Sequence, residues 1–134
     1  MTQLSLNKIE TENAPRAVGP YSQGISIPSG VSLVFVSGQL PINPKTGKLQ
    51  TGDIKTLTNI VINNIEAILI AGGSSLKQVV RVEVFLKDLK SDFAAMNEVY
   101  ATRFEGGITP ARQTIQVADL PMGSPIEISC IAYA

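Results

Sequence analysis

Hydrophobic positions along this chain recur at two periods, and the switches between them divide it into elements. Residues 31–38 are apolar at both alternate positions, with Leu33 and Phe35 on one side and Val34 and Val36 on the other. That pattern predicts a strand covered on both faces. From Asp53 to Ala71, Ile54, Leu57, Val61, Ile65 and Ile68 follow steps of three and four, with Lys55, Asn59, Asn63 and Glu66 on or near the opposite side. This predicts a long amphipathic helix, stopped by Gly72-Gly73. Residues 79–86 alternate again: Val80, Val82, Val84 and Leu86 share one face, and Val79, Arg81, Glu83 and Phe85 the other. A second helix runs from Asp92 to about Phe104, with Ser91 as its cap and Phe93, Met96, Tyr100 and Phe104 as its apolar face. Two closing strands follow, Ala111 to Val117 and Ile126 to Tyr133, separated by a loop with Pro121 and Gly123. Before all of these, Pro15 and Gly19-Pro20 break regular structure, and a short strand or arm passes through Ile25 and Ile27.

The order β, β, α, β, α, β, β predicts an α+β domain with a sheet of four to six strands. Two helices cover one face of such a sheet and leave the other bare. That second face, with Arg81, Glu83, Phe85, Ile131 and Tyr133, is too apolar to be simply solvated, which implies packing on other copies in a closed ring.

Composition narrows the function. The 134 residues make a single domain, 1–134, and the charged fraction of 16% falls below the roughly 25% of an ordinary soluble domain, again pointing to covered surface. A formal net charge of zero disfavours electrostatic capture of nucleic acid or an anionic membrane. Cys130 is the sole cysteine and histidine is absent, so no internal disulfide, histidine triad or metal cluster is expected. The first thirteen residues lack a signal-peptide core and no apolar run reaches membrane-spanning length, so a cytoplasmic location is expected.

Catalysis without histidine must rest on carboxylate, arginine, tyrosine, hydroxyls or backbone. The stretch TPARQTIQV places Arg112, one of four arginines, at the start of an apolar strand, sharing a face with Thr114 and Gln116. Glu127 shares a face of the last strand with Ser129, Ile131 and Tyr133. If these two strands are neighbours with those faces aligned, Arg112 and Glu127 approach one another. On the residues alone a structural ion pair, or a network with Arg81 and Glu83, takes precedence. The alternative is an arginine fork for a substrate carboxylate beside a proton-handling glutamate. Tyr21, after Gly-Pro, suits packing or a pocket wall, and Ser37-Gly38 suits a turn or a backbone approached by ligand. Asn97 lies beside the second helix's apolar stripe, on the surface or at a polar contact. Cys130 reads as a buried core thiol.

The segments TENAPRAVGPYSQG, VSGQLPINPKTG, VFLKDL, FAAMNEVY, PAR and IEI together resemble the RidA family, also called YjgF, nearly end to end. The resemblance implies a chorismate-mutase-like α+β fold, a homotrimer with sites in the clefts between subunits, and cofactor-free hydrolysis of 2-imino acids such as 2-iminopropanoate and 2-iminobutanoate to 2-oxo acids and ammonia. It implies that Arg112 binds the substrate carboxylate, that Glu127 activates water, and that Tyr21, Ser37, Gly38, Asn97 and Thr114 line the cleft. Many relatives have cysteine at the place of Thr114, so a thiol mechanism is excluded; Gln113 and Ser129 also depart from the usual pattern. Two other readings remain: an endoribonuclease, a label some relatives carry, and a non-catalytic binder of small carboxylates or a regulatory protein.

Overall fold

Two eight-residue strands with alternating burial form the middle of the sheet. In this computed structural model, which describes residues 6–134, the elements are β1 (Asn7–Ile9), β2 (Gly24–Ser26), β3 (Leu33–Gln39), α1 (Ile54–Ala71), β4 (Val79–Leu86), α2 (Leu89–Arg103), β5 (Ala111–Gln116) and β6 (Ile126–Tyr133). The main sheet has the order β3-β6-β4-β5, with β6 antiparallel to both its neighbours and β5 parallel to β4. Residues opposite one another in a ladder share a face. Cys130 of β6 therefore shares a face with Val36 of β3 and with Val82 of β4, and Val82 in turn with Arg112 of β5. Both helices lie on that face, and the core forms between Leu57, Val61, Ile65 and Leu69 of α1, Met96 and Tyr100 of α2, and the inward residues of the strands.

Helix α1 begins where Asp53 caps it, accepting from the Thr56 N–H at 2.8 Å. It ends in a Schellman-type turn: Ser74 N–H reaches Leu69 O at 2.8 Å across Gly73, whose φ of +79° only glycine adopts cheaply. Its length and mean hydropathy of 1.3 would fit a membrane span, but its buried stripe packs on the sheet, which makes it a core helix.

Several elements depart from the pattern. α2 starts three residues before the expected Asp92, because Asp88 rather than Ser91 is the cap: its Oδ1 accepts from Ser91 N–H at 3.1 Å, and Leu89 packs against the core. An irregularity in β4 between Val79 and Arg81 puts Val79, instead of Val80, on the buried face. β3 is covered on one face within the subunit, since Phe35 is 70% and Leu33 45% exposed. The arm at Ile25 pairs with β1, a strand too short and polar for periodicity to reveal, and Ile27 lies outside it.

The largest departure concerns the closing strands. β5 and β6 are not neighbours; β4 lies between them, and Val117–Pro125 is a nine-residue crossing rather than a hairpin turn. Arg112 and Glu127 therefore do not approach each other within the subunit. Arg112 is in register with Val82 on the helix-covered face, whereas Glu127 pairs with Phe85 on the open face.

Candidate functional site

Two groups of candidate residues emerge, one on each face of the sheet. The first is built around Arg112. Its strand is held beside the Gly19-Pro20-Tyr21 turn by Ser22, a buried residue whose N–H donates to Pro110 O at 3.2 Å and whose hydroxyl donates to Thr109 O. Nothing in the residue pattern marks Ser22 beyond its place after Tyr21. Tyr21 is fixed in turn by its own N–H to Gly19 O at 2.8 Å and by the Val18 N–H donating to its hydroxyl at 3.3 Å. From the other side α2 presents Phe93, Asn97 and Tyr100, spaced i, i+4, i+7 and so on one stripe of the helix. Arg112 Nη1 donates to Asn97 Oδ1 at 2.6 Å, and the guanidinium carbon lies 4.6 Å from the Tyr100 ring centroid and 5.9 Å from those of Tyr21 and Phe93.

Among the described residues no carboxylate forms a salt bridge with Arg112; the pair that does form on this part of the sheet is Arg81 with Glu83, at 3.3 Å, on the opposite face. The structural ion pair between Arg112 and Glu127 is therefore absent. Burial lowers the Arg112 pKa from its ordinary value, an effect opposed by Tyr100 and Tyr21. A half-buried cation with donors to spare and, among the described residues, no anion beside it has the chemistry to receive one. Thr114, two residues along the same face, has a buried hydroxyl oxygen without a hydrogen-bond partner.

The second group lies on the open face. Between Val36 and Gln39 the β3–β6 ladder slips, so that Ser37 and Gly38 together oppose Ser129. The bulge brings the Gly38 backbone against Glu127. A Cβ on Gly38 would stand 2.7 Å from Glu127 Cδ and 3.0 Å from both carboxylate oxygens, so glycine is required for the carboxylate to lie there. Glu127 forms no salt bridge among the described residues and is partly exposed. Ser37 beside it is exposed. Next along the face, Phe35, Arg81, Glu83, Ser129 and Ile131 line a shallow cavity of about 200 Å³.

Cys130 lies on the covered face, 4% exposed, and burial pushes its thiol pKa up to about 12. It is a core residue. Thus Arg112, Asn97, Tyr21 and Thr114 come together, Glu127, Ser37 and Gly38 come together, and β4 separates the two groups. From the strand of Arg112 to that of Glu127 the separation is two strand spacings, roughly 10 Å, with the two side chains on opposite faces. The surroundings of Arg112 also include Phe93 and Tyr100, which the helical stripe had suggested only as core.

A four-stranded mixed sheet with two helices on one face, an arginine held by the second helix and a bulged strand against a glutamate define a small α+β class. The comparisons name the family. The chain belongs to the RidA family: residues 11–134 match the family model described as Endoribonuclease L-PSP. A RutC family protein of Pyrococcus horikoshii is 52% identical over 93% of this chain and 95% of its own length. Reactive Intermediate Deaminase A, chloroplastic, of Arabidopsis thaliana is 44% identical over 92% of this chain and 64% of its own length. Among solved structures, Escherichia coli TdcF with bound serine superposes with a TM-score of 0.73 at 40% identity, covering 96% of this chain and 98% of that one. The α+β fold expected from the sequence is the fold of these neighbours.

Proposed function

We propose that the protein is a 2-imino acid deaminase that hydrolyses substrates such as 2-iminobutanoate and 2-iminopropanoate to 2-oxo acids and ammonia. The observation that carries this reading is Arg112: a half-buried guanidinium, bonded to Asn97 and without a carboxylate partner among the described residues, in a chain without histidine. The names of relatives as reactive intermediate deaminases support it, as does a bound amino acid in TdcF.

Chemistry of this kind needs a carboxylate clamp and an activated water at the C=N carbon. Since one subunit holds Arg112 and Glu127 on opposite faces, the complete site requires the Arg112 group of one copy to meet the Glu127 group of another. The exposed Phe35 and Leu33 on the open face, with Ile131 and Tyr133, supply the apolar surface for that contact, and a closed trimer satisfies it three times over. Arg112 then takes the substrate carboxylate. Glu127 removes a proton from water as the oxygen–carbon bond forms and the C=N electron pair moves to nitrogen, and returns that proton to nitrogen. From the resulting carbinolamine, the hydroxyl proton passes by way of Glu127 to nitrogen, the C–N bond breaks and ammonia leaves with the 2-oxo acid formed. General acid–base help of about 10²- to 10⁴-fold suffices for so reactive a substrate.

The test is ammonia release from freshly generated 2-iminobutanoate, with Arg112→Ala beside the parent protein. The expected result is acceleration by the parent and none by the variant at unchanged oligomeric size; an unaffected rate in Arg112→Ala overturns the reading. The description of the matched family model favours a second reading, an endoribonuclease. Zero net charge argues against it, and salt-sensitive RNA binding at low ionic strength is the result that would support it.

A further inference from the structure

Three of the seven aromatic residues of the chain face one guanidinium. Tyr100 is wholly buried, its ring the nearest at 4.6 Å and itself stacked on Phe104 with centroids 4.5 Å apart, so it has no freedom to turn away. Its hydroxyl has no hydrogen-bond partner among the described residues, and what Tyr100 offers the arginine is the face of the ring. Phe93 stands one helical turn before Asn97, at the rim, 37% exposed and 5.9 Å from the guanidinium carbon. The negative faces of these rings attract a cation most when water is excluded. They compensate part of the cost of burying Arg112 without neutralising it, whereas an acidic residue in the same place would close the receptor to anions.

We propose that Phe93 and Tyr100 are positioning residues which, with Tyr21, form an aromatic cage that sets the plane of the Arg112 guanidinium and thereby the affinity of the site for the carboxylate of 2-imino and 2-oxo acids. The assignment deepens the function proposed above and rests on it. Asn97 holds one nitrogen by its hydrogen bond; the cage fixes the rotation about that bond and leaves the remaining donors presented together. The stripe Phe93, Asn97, Tyr100 thus makes α2 the element that tunes substrate binding, although neither ring needs to touch the reacting carbon.

The experiment measures KM and kcat with 2-iminobutanoate, the Kd for 2-oxobutanoate by calorimetry, and thermal unfolding, for Phe93→Leu, Phe93→Tyr and Tyr100→Phe. Phe93→Leu is expected to raise KM and Kd by about fivefold or more, with kcat within about twofold and unfolding unchanged. Phe93→Tyr and Tyr100→Phe, which keep the ring faces, are expected to retain the parent's KM and Kd. An unchanged KM and Kd in Phe93→Leu overturns the cage, and so does a loss of binding in Tyr100→Phe, which would assign the role to the hydroxyl. A parent that binds the oxo acid without hydrolysing the imine overturns the functional reading alone, since Kd still reads the cage; a parent that does neither overturns both.

Discussion

Arg112 and Glu127 stand on opposite faces of one sheet, with β4 between their strands. Each is placed by a device of its own: Arg112 by the stripe of α2 and the Gly-Pro-Tyr turn, Glu127 by the bulge at Ser37-Gly38. Neither device has a use for the other within a single subunit. A reaction that needs both would have to take place between subunits.

The contact between Gly38 and Glu127 leaves no room for a side chain. Gly38→Ala forces the carboxylate from the bulge, because the new Cβ would lie 2.7 Å from Cδ. Steady-state kinetics are expected to show kcat for imine hydrolysis falling by about 10²-fold with KM little changed, since the clamp at Arg112 is untouched. A Gly38→Ala enzyme with the parent's kcat would show that Glu127 is not needed where it stands.

Asn97 and Arg112 are joined by a hydrogen bond of 2.6 Å to a charged donor. Its loss in Asn97→Ala is expected to raise KM by about tenfold or more. Asn97→Asp is the sharper variant: it places a permanent carboxylate on the arginine and fills the receptor from within. That protein is expected to keep its fold and lose oxo-acid binding by calorimetry.

Phe35 is 70% exposed in the subunit and lies on the face that a partner would cover. A glutamate there places a charge in an apolar contact, at a cost that a folded single subunit does not feel. Sedimentation is expected to show Phe35→Glu as a folded monomer without imine hydrolysis. A fully active oligomer of the parent's size would remove the open face from the interface.

Alkaline stability follows from Cys130 and Tyr100. Burial raises the Cys130 pKa from an ordinary value of 9.0 to about 12, and raises that of Tyr100 as well, with desolvation the largest cause in each. In the window between 9.0 and about 12 the unfolded thiol has lost a proton that the folded one retains. The folded state binds more protons there, so stability is fully present below the lower value and declines as pH rises through the upper one. Denaturant melts are expected to weaken steadily across that window. Native protein at pH 8 is expected to resist thiol reagents and to react once unfolded.

Much of this architecture is legible in the chain because burial imposes a period. Leu57, Val61 and Ile65 mark α1, and Ile126, Ile128 and Cys130 mark β6, without any knowledge of neighbours. Strand order has no such signature. β5 follows α2 and lies parallel beside β4, while β6 inserts on the other side of β4, so proximity of Ala111–Gln116 and Ile126–Tyr133 in the sequence misleads about their pairing. Local competition explains the start of α2, where Asp88 and Ser91 are both capping residues and the burial of Leu89 decides between them. At the site, the residue types of Arg112 and Glu127 and the resemblance to the RidA family suggested their roles, but not that the two would face away from each other. Phe93 and Tyr100 were visible only as apolar positions, because a ring packed on a guanidinium and a ring packed on leucine have the same spacing.

The split site is tested most directly by mixing two inactive proteins. Arg112→Ala and Glu127→Gln subunits, each expected to lack imine hydrolysis alone, are co-expressed with different tags and the mixed oligomers purified. In a trimer whose sites each take Arg112 from one subunit and Glu127 from the next, every mixed trimer has one intact site of its three, so activity should return to about a third of the parent's. Mixed oligomers that stay as inactive as either variant would contradict the account.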